Sequence, residues 1–258
     1  MKFHFYKYQA TGNDFVLVDN QSGQLSFTKS QIQRICNRKF GIGADGLILI
    51  EKDRASNFNV NYYNSDGSQS LCGNGSRAAV QFASSLGLIN GKAHFSAYDG
   101  LHDAEILPAG IVRLRMNNVE KVERKGEDFI INTGSPHYIR FVDNIEAFPV
   151  YDEGRKVRYS NAFQENGINV NFVQVLPDNR IFVRTYERGV EDETLSCGTG
   201  ITAAALAASF KGYSSPVTVK ALGGDLSVEF KSGGVTARFT DIFLVGPAKM
   251  VFEGDLEL

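Results

Sequence analysis

One short motif occurs twice in this chain, and no other feature constrains its fold as strongly. "SLCGNGSRAAV" at 70–80 and "LSCGTGITAAA" at 195–205 each contain Cys-Gly-x-Gly followed by small residues that are compatible with a helix. A strand-like segment and a polar loop precede both, "NYYNSDG" before Cys72 and "VRTYERG" before Cys197. A short Gly- and Ala-rich string can match by chance, but the shared strand, loop and helix order favours an internal duplication.

Strand-like segments dominate the rest of the chain, since β-branched and aromatic residues are grouped between Gly, Asn, Asp and Pro. We predict strands at 45–52, 58–64, 110–116, 128–134, 169–176, 180–187, 226–230, 235–239 and 248–256, with turns at 176–180 and 231–234. We predict helices at 28–40, with Thr28 or Ser30 as the N-cap, and after each Cys-Gly-x-Gly turn. The helix after Cys197 is apolar on all sides, which indicates a buried helix with strands around it.

The predicted fold class is therefore α+β (mixed α/β). We expect two pseudo-symmetric halves, each a mostly antiparallel sheet curled around a central helix. The predicted boundaries are 1–117 for the half that carries Cys72 and 118–245 for the half that carries Cys197. The last strand, about 246–258, is expected to return to the N-terminal half.

Composition excludes several classes of protein. The net charge of the 258 residues is −2, which gives no general attraction to nucleic acid or to anionic membranes. No apolar run reaches the length of a membrane span or a signal peptide, so we expect a cytoplasmic protein. Three cysteines without a CxxC pair, and four histidines without ligand spacing, predict neither a disulfide framework nor a metal site.

The Cys-Gly-x-Gly turn has a chemical logic when it begins a helix. The first N–H groups of a helix lack intrahelical partners and carry partial positive charge. Glycines let the backbone close around a small anion, so a carboxylate or a phosphate can bind there. The same field favours the ionised form of a cysteine at that end of the helix. One turn therefore supplies an anion site and an activated thiol.

Two such turns facing one carboxylate would suit the inversion of the α-carbon of an amino acid. One thiolate would remove the α-proton, and the opposite thiol would return a proton to the other face. The helix-end donors would stabilise the negative charge that develops on the carboxylate. The alternative for each cysteine is a small buried apolar residue. For Cys36, within helix 28–40, that alternative is the prediction.

Several segments, in this combination and order, resemble the diaminopimelate epimerase family along most of the chain. They are "ATGNDFVLVD" (10–19), "GIGADGLI" (41–48), "NSDGSQSLCGNGSRA" (64–78), "TGSPH" (133–137), "GINVNFVQ" (167–174), "YERGVEDETLSCGTG" (186–200) and the closing "VGPAKMVFEGDL". The resemblance implies a cofactor-independent isomerase that interconverts LL- and meso-2,6-diaminopimelate, in lysine and peptidoglycan precursor synthesis. It implies an active site in the cleft between the halves. A homodimer is the expected assembly, although no residue pattern specifies it.

Carried over by position, Cys72 and Cys197 are implied to be the acid–base thiols, with His137 and Glu187 tuning their pKa values. The positions implied to bind substrate are Asn13, Asn64, Gly73, Asn74, Ser135, Asn169, Glu187, Arg188, Gly198 and Thr199. For several of these residues a purely structural role stays open as the alternative. Arg188 could be a surface charge in a turn, the asparagines could cap turns or strand ends, and His137 could be an ordinary residue of a polar loop.

The chain departs from the family pattern at a few places. Gly46 stands where some relatives have a glutamine, Ser135 stands where many have an asparagine, and the loop between Asn64 and Cys72 looks one residue shorter than in some members. Other functions remain open. A proline racemase or hydroxyproline epimerase usually has a histidine inside the first cysteine turn, where this chain has Asn74. A non-catalytic anion-binding module would need the helix ends but not the thiols.

Overall fold

The structure is a computed structural model, and it describes residues 1–233 and 237–258. The described chain divides into two compact units. Unit 1 comprises Met1–Leu114 and Gly246–Leu258, and unit 2 comprises Arg115–Val245. The C-terminal strand β17 belongs to unit 1 because it pairs antiparallel with the N-terminal strand β1. The predicted turn 231–234 and the predicted strand 235–239 lie partly outside the described residues.

Unit 1 is a strand-rich unit with two helices. Its elements are β1 (Lys2–Ala10), β2 (Asn13–Asp19), α1 (Lys29–Cys36), β3 (Gly46–Glu51), β4 (Phe58–Asn64), α2 (Gly73–Ser85), β5 (Lys92–Ala97), β6 (Gly100–Leu107), β7 (Ile111–Arg115) and β17 (Lys249–Glu257). The strands pair in the order β17-β1-β2-β3-β4-β5-β6-β7. The pairs β2–β3 and β4–β5 are parallel, and the others are antiparallel.

Unit 2 has the same plan. Its elements are β8 (Val122–Lys125), β9 (Asp128–Asn132), β10 (Pro136–Phe141), α3 (Val150–Arg158), β11 (Asn169–Leu176), β12 (Arg180–Glu187), β13 (Asp192–Thr194), α4 (Gly198–Ala208), β14 (Val217–Ala221), β15 (Gly224–Ser232) and β16 (Phe239–Pro247). The strands pair in the order β8-β9-β10-β11-β12-β14-β15-β16, with β13 as an added antiparallel partner of β12. The parallel pairs are β10–β11 and β12–β14.

The two strand orders correspond element by element. Each unit has a helix between its first parallel pair, α1 or α3, and a second helix between its later parallel pair, α2 or α4. A parallel connection requires a crossover, and in both units a helix provides it. The duplication predicted from the repeated cysteine motif is therefore present in the topology of the whole chain.

Helix α2 is more buried than α1 in unit 1, and α4 is more buried than α3 in unit 2. Helix α2 packs against β1–β4, β6 and β17, and α4 packs against β9–β12, β14 and β15. Almost every residue of α4 is buried, from Ile201 to Ala208. Small side chains let the surrounding strands approach these helices closely, because Ala and Gly add little volume.

Helix α1 is shorter than predicted. It starts after the N-cap Thr28 as expected, but it ends at Cys36 and not near residue 40. The reason is Asn37, whose Oδ1 accepts the backbone N–H groups of Lys39 and Phe40 at 2.9 Å each. An asparagine side chain that bonds the following backbone competes with the helical hydrogen bonds and stops the helix.

Helix α3 was not predicted, because Gly154 lies in its interior and lowers helix propensity. The glycine is required by packing, since a Cβ there would lie 2.4 Å from the Cβ of Tyr186. The predicted turn at 176–180 is confirmed. The loop between Leu176 of β11 and Arg180 of β12 has three residues, and two of them, Asp178 and Asn179, have positive φ, at 59° and 57°.

Candidate functional site

Both repeated cysteines are N-cap residues. Cys72 caps α2 with φ −129° and ψ 110°, and Cys197 caps α4 with φ −116° and ψ 108°. The two backbones therefore enter their helices in the same way. Each thiol lies at the end of a helix that carries the positive half of the macrodipole. This local geometry is what the repeated sequence motif predicts.

The turn at Cys72 is closed by the thiol itself. The N–H of Gly75 donates to Cys72 Sγ at 3.3 Å, so the sulfur occupies the position of an N-cap oxygen. A sulfur that accepts a hydrogen bond from a helix N–H is stabilised as the thiolate. Cys72 is half-buried, whereas Cys197 is 8% exposed.

Asn13 and Asn74 meet in unit 1. The amide of Asn74, in the first turn of α2, donates to Oδ1 of Asn13, which begins β2. Asn13 in turn donates from Nδ2 to Oδ2 of Asp45 at 2.9 Å. Both ends of the Asn13 amide are thus engaged, and Asp45 determines which end faces Asn74.

Asp45 belongs to a charged cluster around Asp14. Arg38 bonds both carboxylates, at 2.6 Å and 2.9 Å to Asp14 and at 2.8 Å to Asp45, and Lys7 lies 2.7 Å from Asp14. Burial alone would raise the pKa of Asp14, but the hydrogen bonds from Arg38 and Lys7 outweigh it and lower the pKa to about 2. This cluster anchors the turn on which Asn13 lies.

Asn64 is held by its own loop. Its Nδ2 donates to the hydroxyls of Ser68 and Ser70 at 3.0 Å and 3.1 Å, and its Oδ1 accepts from Tyr62 at 3.0 Å. These are the contacts of an asparagine that caps its own turn, which is the alternative role considered for Asn64. Those contacts do not join Asn64 to the Asn13–Asn74 pair.

In unit 2, His137 and Thr199 lie beside the second thiol. His137 Nε2 is 2.9 Å from Oγ1 of Thr199, and that oxygen is 3.5 Å from Sγ of Cys197. The alternative of an ordinary histidine in a polar loop does not hold, since His137 lies in β10 with no exposed surface. The strand accommodates Pro136 because a proline is tolerated as the first residue of a strand. Burial, with the charge of Arg188 as a smaller cause, lowers the pKa of His137 to about 3.

Ser135, Asn169 and Arg188 form a second polar group in unit 2. Asn169 donates to Oγ of Ser135 at 2.9 Å and accepts the N–H of Arg188 at 2.9 Å. The guanidinium of Arg188 is exposed and bonds Ser135 at 3.3 Å and the carbonyl of Asn166 at 3.0 Å. Asn169 is directly opposite His137 in the parallel β10–β11 register, so this group adjoins the Cys197 turn. Glu187, at the end of β12, accepts a hydrogen bond from Thr194 at 2.9 Å.

The second glycine of each turn packs on the strands, and the two surroundings differ. A Cβ on Gly75 would lie 3.4 Å from Ile48 and 3.5 Å from Phe15, which is ordinary contact with apolar atoms. A Cβ on Gly200 would lie 2.3 Å from Oδ1 of Asn171 and 3.2 Å from His137. One helix end therefore rests on an apolar surface and the other on polar side chains.

Gly46 has a steric reason to be a glycine in this chain. A Cβ there would come within 2.4 Å of the ring of Tyr62 and 2.6 Å of the carbonyl oxygen of Tyr63. The site therefore receives no side chain at this position, where some relatives have a glutamine.

Cys36 is separate from both turns. It is 4% exposed within the apolar side of α1, and burial raises the pKa of its thiol to about 12. The expectation of a packing residue is confirmed. In residues 1–233 and 237–258, no group of three or more His, Cys, Asp or Glu side chains could hold a metal ion. None of the helices in these ranges combines the length and apolar character that crossing a bilayer requires.

Three residues close to the turns were not predicted from the sequence: Asp45, Arg77 and Asn171. Arg77 has no exposed surface, and its Nε and Nη1 have no hydrogen-bond partner. The sequence does contain a signal for Arg77, because an arginine inside the run of small, apolar residues after Cys72 falls on a helix that is expected to be buried. Asn171 interrupts the apolar run of β11 in the same way.

The sequence is similar along almost its whole length to one protein family and to named proteins of two bacteria. The family model described as "Diaminopimelate epimerase" matches residues 5–122 and 129–251. A diaminopimelate epimerase of Flavobacterium psychrophilum is 50% identical over 254 residues, covering 96% of this chain and 98% of that protein. A diaminopimelate epimerase of Aquifex aeolicus is 41% identical, covering 98% of this chain and 97% of that protein.

Solved structures share the fold at low sequence identity. A phenazine biosynthesis protein of the PhzF family from Bacillus anthracis has a TM-score of 0.77 at 13% identity, with full coverage of both chains. A hydroxyproline epimerase from Agrobacterium vitis has a TM-score of 0.69 at 13% identity, covering 99% of this chain and 92% of that one. These likenesses establish the fold alone. The family model and the near full-length relatives establish more, and on their evidence this chain is a member of the diaminopimelate epimerase family.

Proposed function

We propose that this isomerase interconverts LL- and meso-2,6-diaminopimelate by proton transfer at one α-carbon, with Cys72 and Cys197 acting on its opposite faces. The observation that carries the proposal is the equivalence of the two thiols. Each is the N-cap of the buried helix in its own repeat, with nearly the same φ and ψ. A stereocentre has two faces, and inversion without a cofactor needs an acid–base group for each of them.

The helix ends support the second requirement of this reaction. Removing an α-proton places negative charge on the adjacent carboxylate, and donors aimed at that charge lower the barrier. The N–H groups of Gly73, Asn74, Gly198 and Thr199 belong to the first turns of α2 and α4, where helical N–H groups lack intrahelical partners. We assign these residues to the reacting carboxylate.

The distal end of the substrate carries a second ammonium and a second carboxylate. Arg188 is exposed and suits that carboxylate, because a guanidinium can bond both of its oxygens. Asn169 already holds the backbone of Arg188, so it orders this group. Asn13 and Asn64 are assigned to substrate on the family resemblance. The contact of Asn13 with Asn74 supports the first assignment, and the contacts of Asn64 lie within its own loop.

The proposal includes a reducing compartment, such as the cytoplasm, because three free cysteines are stable only where thiols stay reduced. It also includes a homodimer as the assembly, which sedimentation equilibrium at several protein concentrations tests directly. Glu187 and His137 are proposed to modulate the thiols, and the contact of His137 with Thr199 supports that role for the histidine.

The test follows isomer composition and α-deuteration when the reduced protein is incubated with LL-diaminopimelate in D₂O. With two separate acid–base groups, the first product acquires solvent deuterium while unreacted substrate keeps its proton. A single shared base would carry the substrate proton into the product. Absence of deuterium from every α-carbon would contradict the proposal, and exchange with proline but not diaminopimelate would favour a proline racemase-like activity.

Serine variants identify the groups. We expect Cys72→Ser and Cys197→Ser each to lower kcat/KM by about 10²-fold or more, the usual contribution of a general acid or base. Cys36→Ala is the matched control, since its thiol is buried within α1 and belongs to neither Cys-Gly-x-Gly turn. Absence of turnover in the parent protein, together with unchanged substrate affinity in both serine variants, would support a binding module in place of an enzyme.

A further inference from the structure

A fully buried polar group, Asn171 with His137, lies against Gly200 of the Cys197 turn, whereas Gly75 of the Cys72 turn lies against apolar side chains. Asn171 and His137 have no exposed surface, and they occupy adjacent strands β11 and β10. In the parallel registers, His137 is opposite Asn169 and Phe15 is opposite Gly46. Phe15 and Ile48 also lie against Gly75 as His137 and Asn171 lie against Gly200, so they are the equivalent residues of unit 1. The fold itself does not require polar residues at these positions.

The orientation of the Asn171 amide is determined by its neighbours. Its Nδ2 donates to the carbonyl oxygen of Tyr138 at 3.2 Å, and a carbonyl can only accept. Its Oδ1 accepts the hydroxyl of Thr185 at 2.9 Å. The second N–H of Nδ2 faces Nδ1 of His137 at 3.1 Å. Nδ1 must therefore be an acceptor, and the proton of the neutral ring lies on Nε2.

The proton on Nε2 of His137 is directed toward the hydroxyl of Thr199. Oγ1 of Thr199 lies 2.9 Å from Nε2 and accepts this hydrogen bond. The threonine hydroxyl keeps its own proton to donate, and Sγ of Cys197 lies 3.5 Å away. A hydroxyl that donates to sulfur favours the thiolate over the thiol.

We propose that Asn171 is a positioning residue that holds His137 in the neutral Nε2–H tautomer, so that Thr199 directs its hydroxyl proton toward the sulfur of Cys197. This deepens the function proposed above and rests on it for the catalytic use of Cys197. The tautomer and the reactivity of the thiol are properties of the resting protein, and they can be measured without substrate.

The electrostatic surroundings agree with a neutral histidine. The pKa of His137 is lowered to about 3 by burial, and the charge of Arg188 acts in the same direction. At neutral pH the ring therefore serves as a hydrogen-bond donor and not as a cation. Its influence on Cys197 is exerted through the direction of a hydrogen bond, which distinguishes it from the helix dipole.

The direct test is ¹⁵N NMR of protein labelled in histidine, with the His137 signals assigned by comparison with His137→Gln. We expect Nε2 protonated and Nδ1 unprotonated at neutral pH. A protonated Nδ1, in either the other neutral tautomer or the imidazolium, would overturn the proposal whatever the enzyme activity proves to be.

The second test measures the alkylation rate of Cys197 against pH, site by site, by peptide mass spectrometry. Asn171→Leu removes the donor at similar volume. We expect the apparent pKa of Cys197 to rise by about one pH unit, which is about a tenfold slower reaction at neutral pH. Thr202→Val is the control. It removes a buried hydroxyl from the same helix, which donates to the carbonyl oxygen of Gly198 at 2.9 Å.

Thr202→Val should leave the pH profile of Cys197 alkylation unchanged, and the alkylation rate of Cys72 should be the same in the parent and in both variants. If Asn171→Leu retains native circular dichroism and its Cys197 profile superimposes on that of the parent, the proposal is wrong. If Asn171→Leu does not fold, the tautomer measurement on the parent protein still decides. Failure of the deuterium experiment with an intact Nε2–H tautomer would reject the proposed reaction and leave the hydrogen-bond assignment standing.

Discussion

Arg77 donates from Nη2 to the hydroxyl of Thr11 across 2.9 Å, from a position with no exposed surface. This bond joins α2 to the turn between β1 and β2, the turn that also places Asn13. Burial lowers the pKa of Arg77 to about 10, while Cys72 acts to raise it. Coupling between two charges is reciprocal, so the guanidinium must favour the thiolate of Cys72.

Replacing Arg77 by methionine should therefore slow the alkylation of Cys72 several-fold at neutral pH and leave Cys197 unaffected. The free energy of unfolding should change little or increase, because unpaired buried donors are removed along with the charge. Thr11→Val is the control. This variant keeps the charge of Arg77, so the pH profile of Cys72 alkylation should not change. It should lower the free energy of unfolding by about 1–3 kcal/mol, because the guanidinium loses the Thr11 hydroxyl as an acceptor. A Cys72 profile that is the same in Arg77→Met and the parent would contradict the coupling.

His137 makes the stability of the fold depend on pH. Its pKa is about 3 when folded against the ordinary 6.5, so the unfolded chain binds the extra proton first. The stability it contributes is complete above pH 6.5 and is lost progressively as the pH falls from 6.5 toward about 3. The slope in that window is about 1.4 kcal/mol per pH unit.

Urea unfolding of the parent and of His137→Gln at pH 7.5, 6 and 5 measures this slope, on the order of 1.4 kcal/mol per pH unit. The difference in unfolding free energy between the two proteins should be constant above pH 7 and should shift in favour of the variant below about 6. Parallel stability curves across this range would mean that His137 binds its proton as readily in the folded chain as in the unfolded one, which would contradict the lowered pKa.

The two helix glycines give a matched pair of substitutions. Gly200→Ala places a Cβ 2.3 Å from Oδ1 of Asn171, and that side chain is fully buried with both ends bonded, so it cannot move aside cheaply. We expect a loss of about 1–3 kcal/mol by overpacking, together with a change in the Cys197 alkylation profile. Gly75→Ala makes ordinary contacts and should stay within about 1 kcal/mol of the parent. Equal losses in thermal denaturation would contradict the packing difference.

Cys36 should be inert in the folded protein. Burial raises the pKa of its thiol to about 12, and it is 4% exposed. Alkylation at pH 8 should modify Cys72 and Cys197 and leave Cys36 unmodified until urea unfolds the chain. Mass spectrometry of the peptides reports each site separately, and modification of Cys36 before unfolding would show that α1 opens locally.

Local patterns were enough to predict the parts of this protein that depend on neighbours in sequence. The Cys-Gly-x-Gly turns begin buried helices, Thr28 caps α1, and Asp178 with Asn179 makes the hairpin turn, because capping and turn geometry act over a few residues. The family was also recognisable, since its motifs are long and ordered along the whole chain.

Other features depend on contacts between residues far apart in the chain. The sequence left a polar loop open as an alternative for His137. It contains no reason for Gly46 or Gly154 to lack a side chain, and it does not indicate what packs against Gly200. In each case the reason is a side chain that the fold places against the residue. Asn171 lies against His137 and Gly200, Tyr62 lies against Gly46, and Tyr186 lies against Gly154.

The sequence by itself determined that two thiols cap two buried helices, because an N-cap is decided within one turn of chain. Only the tertiary structure decided that the helix after Cys197 rests on a buried asparagine and histidine while the helix after Cys72 rests on Phe15 and Ile48. The physical reason is strand register. Which side chains meet beneath a helix depends on how neighbouring strands are paired, and no short segment of sequence contains that information.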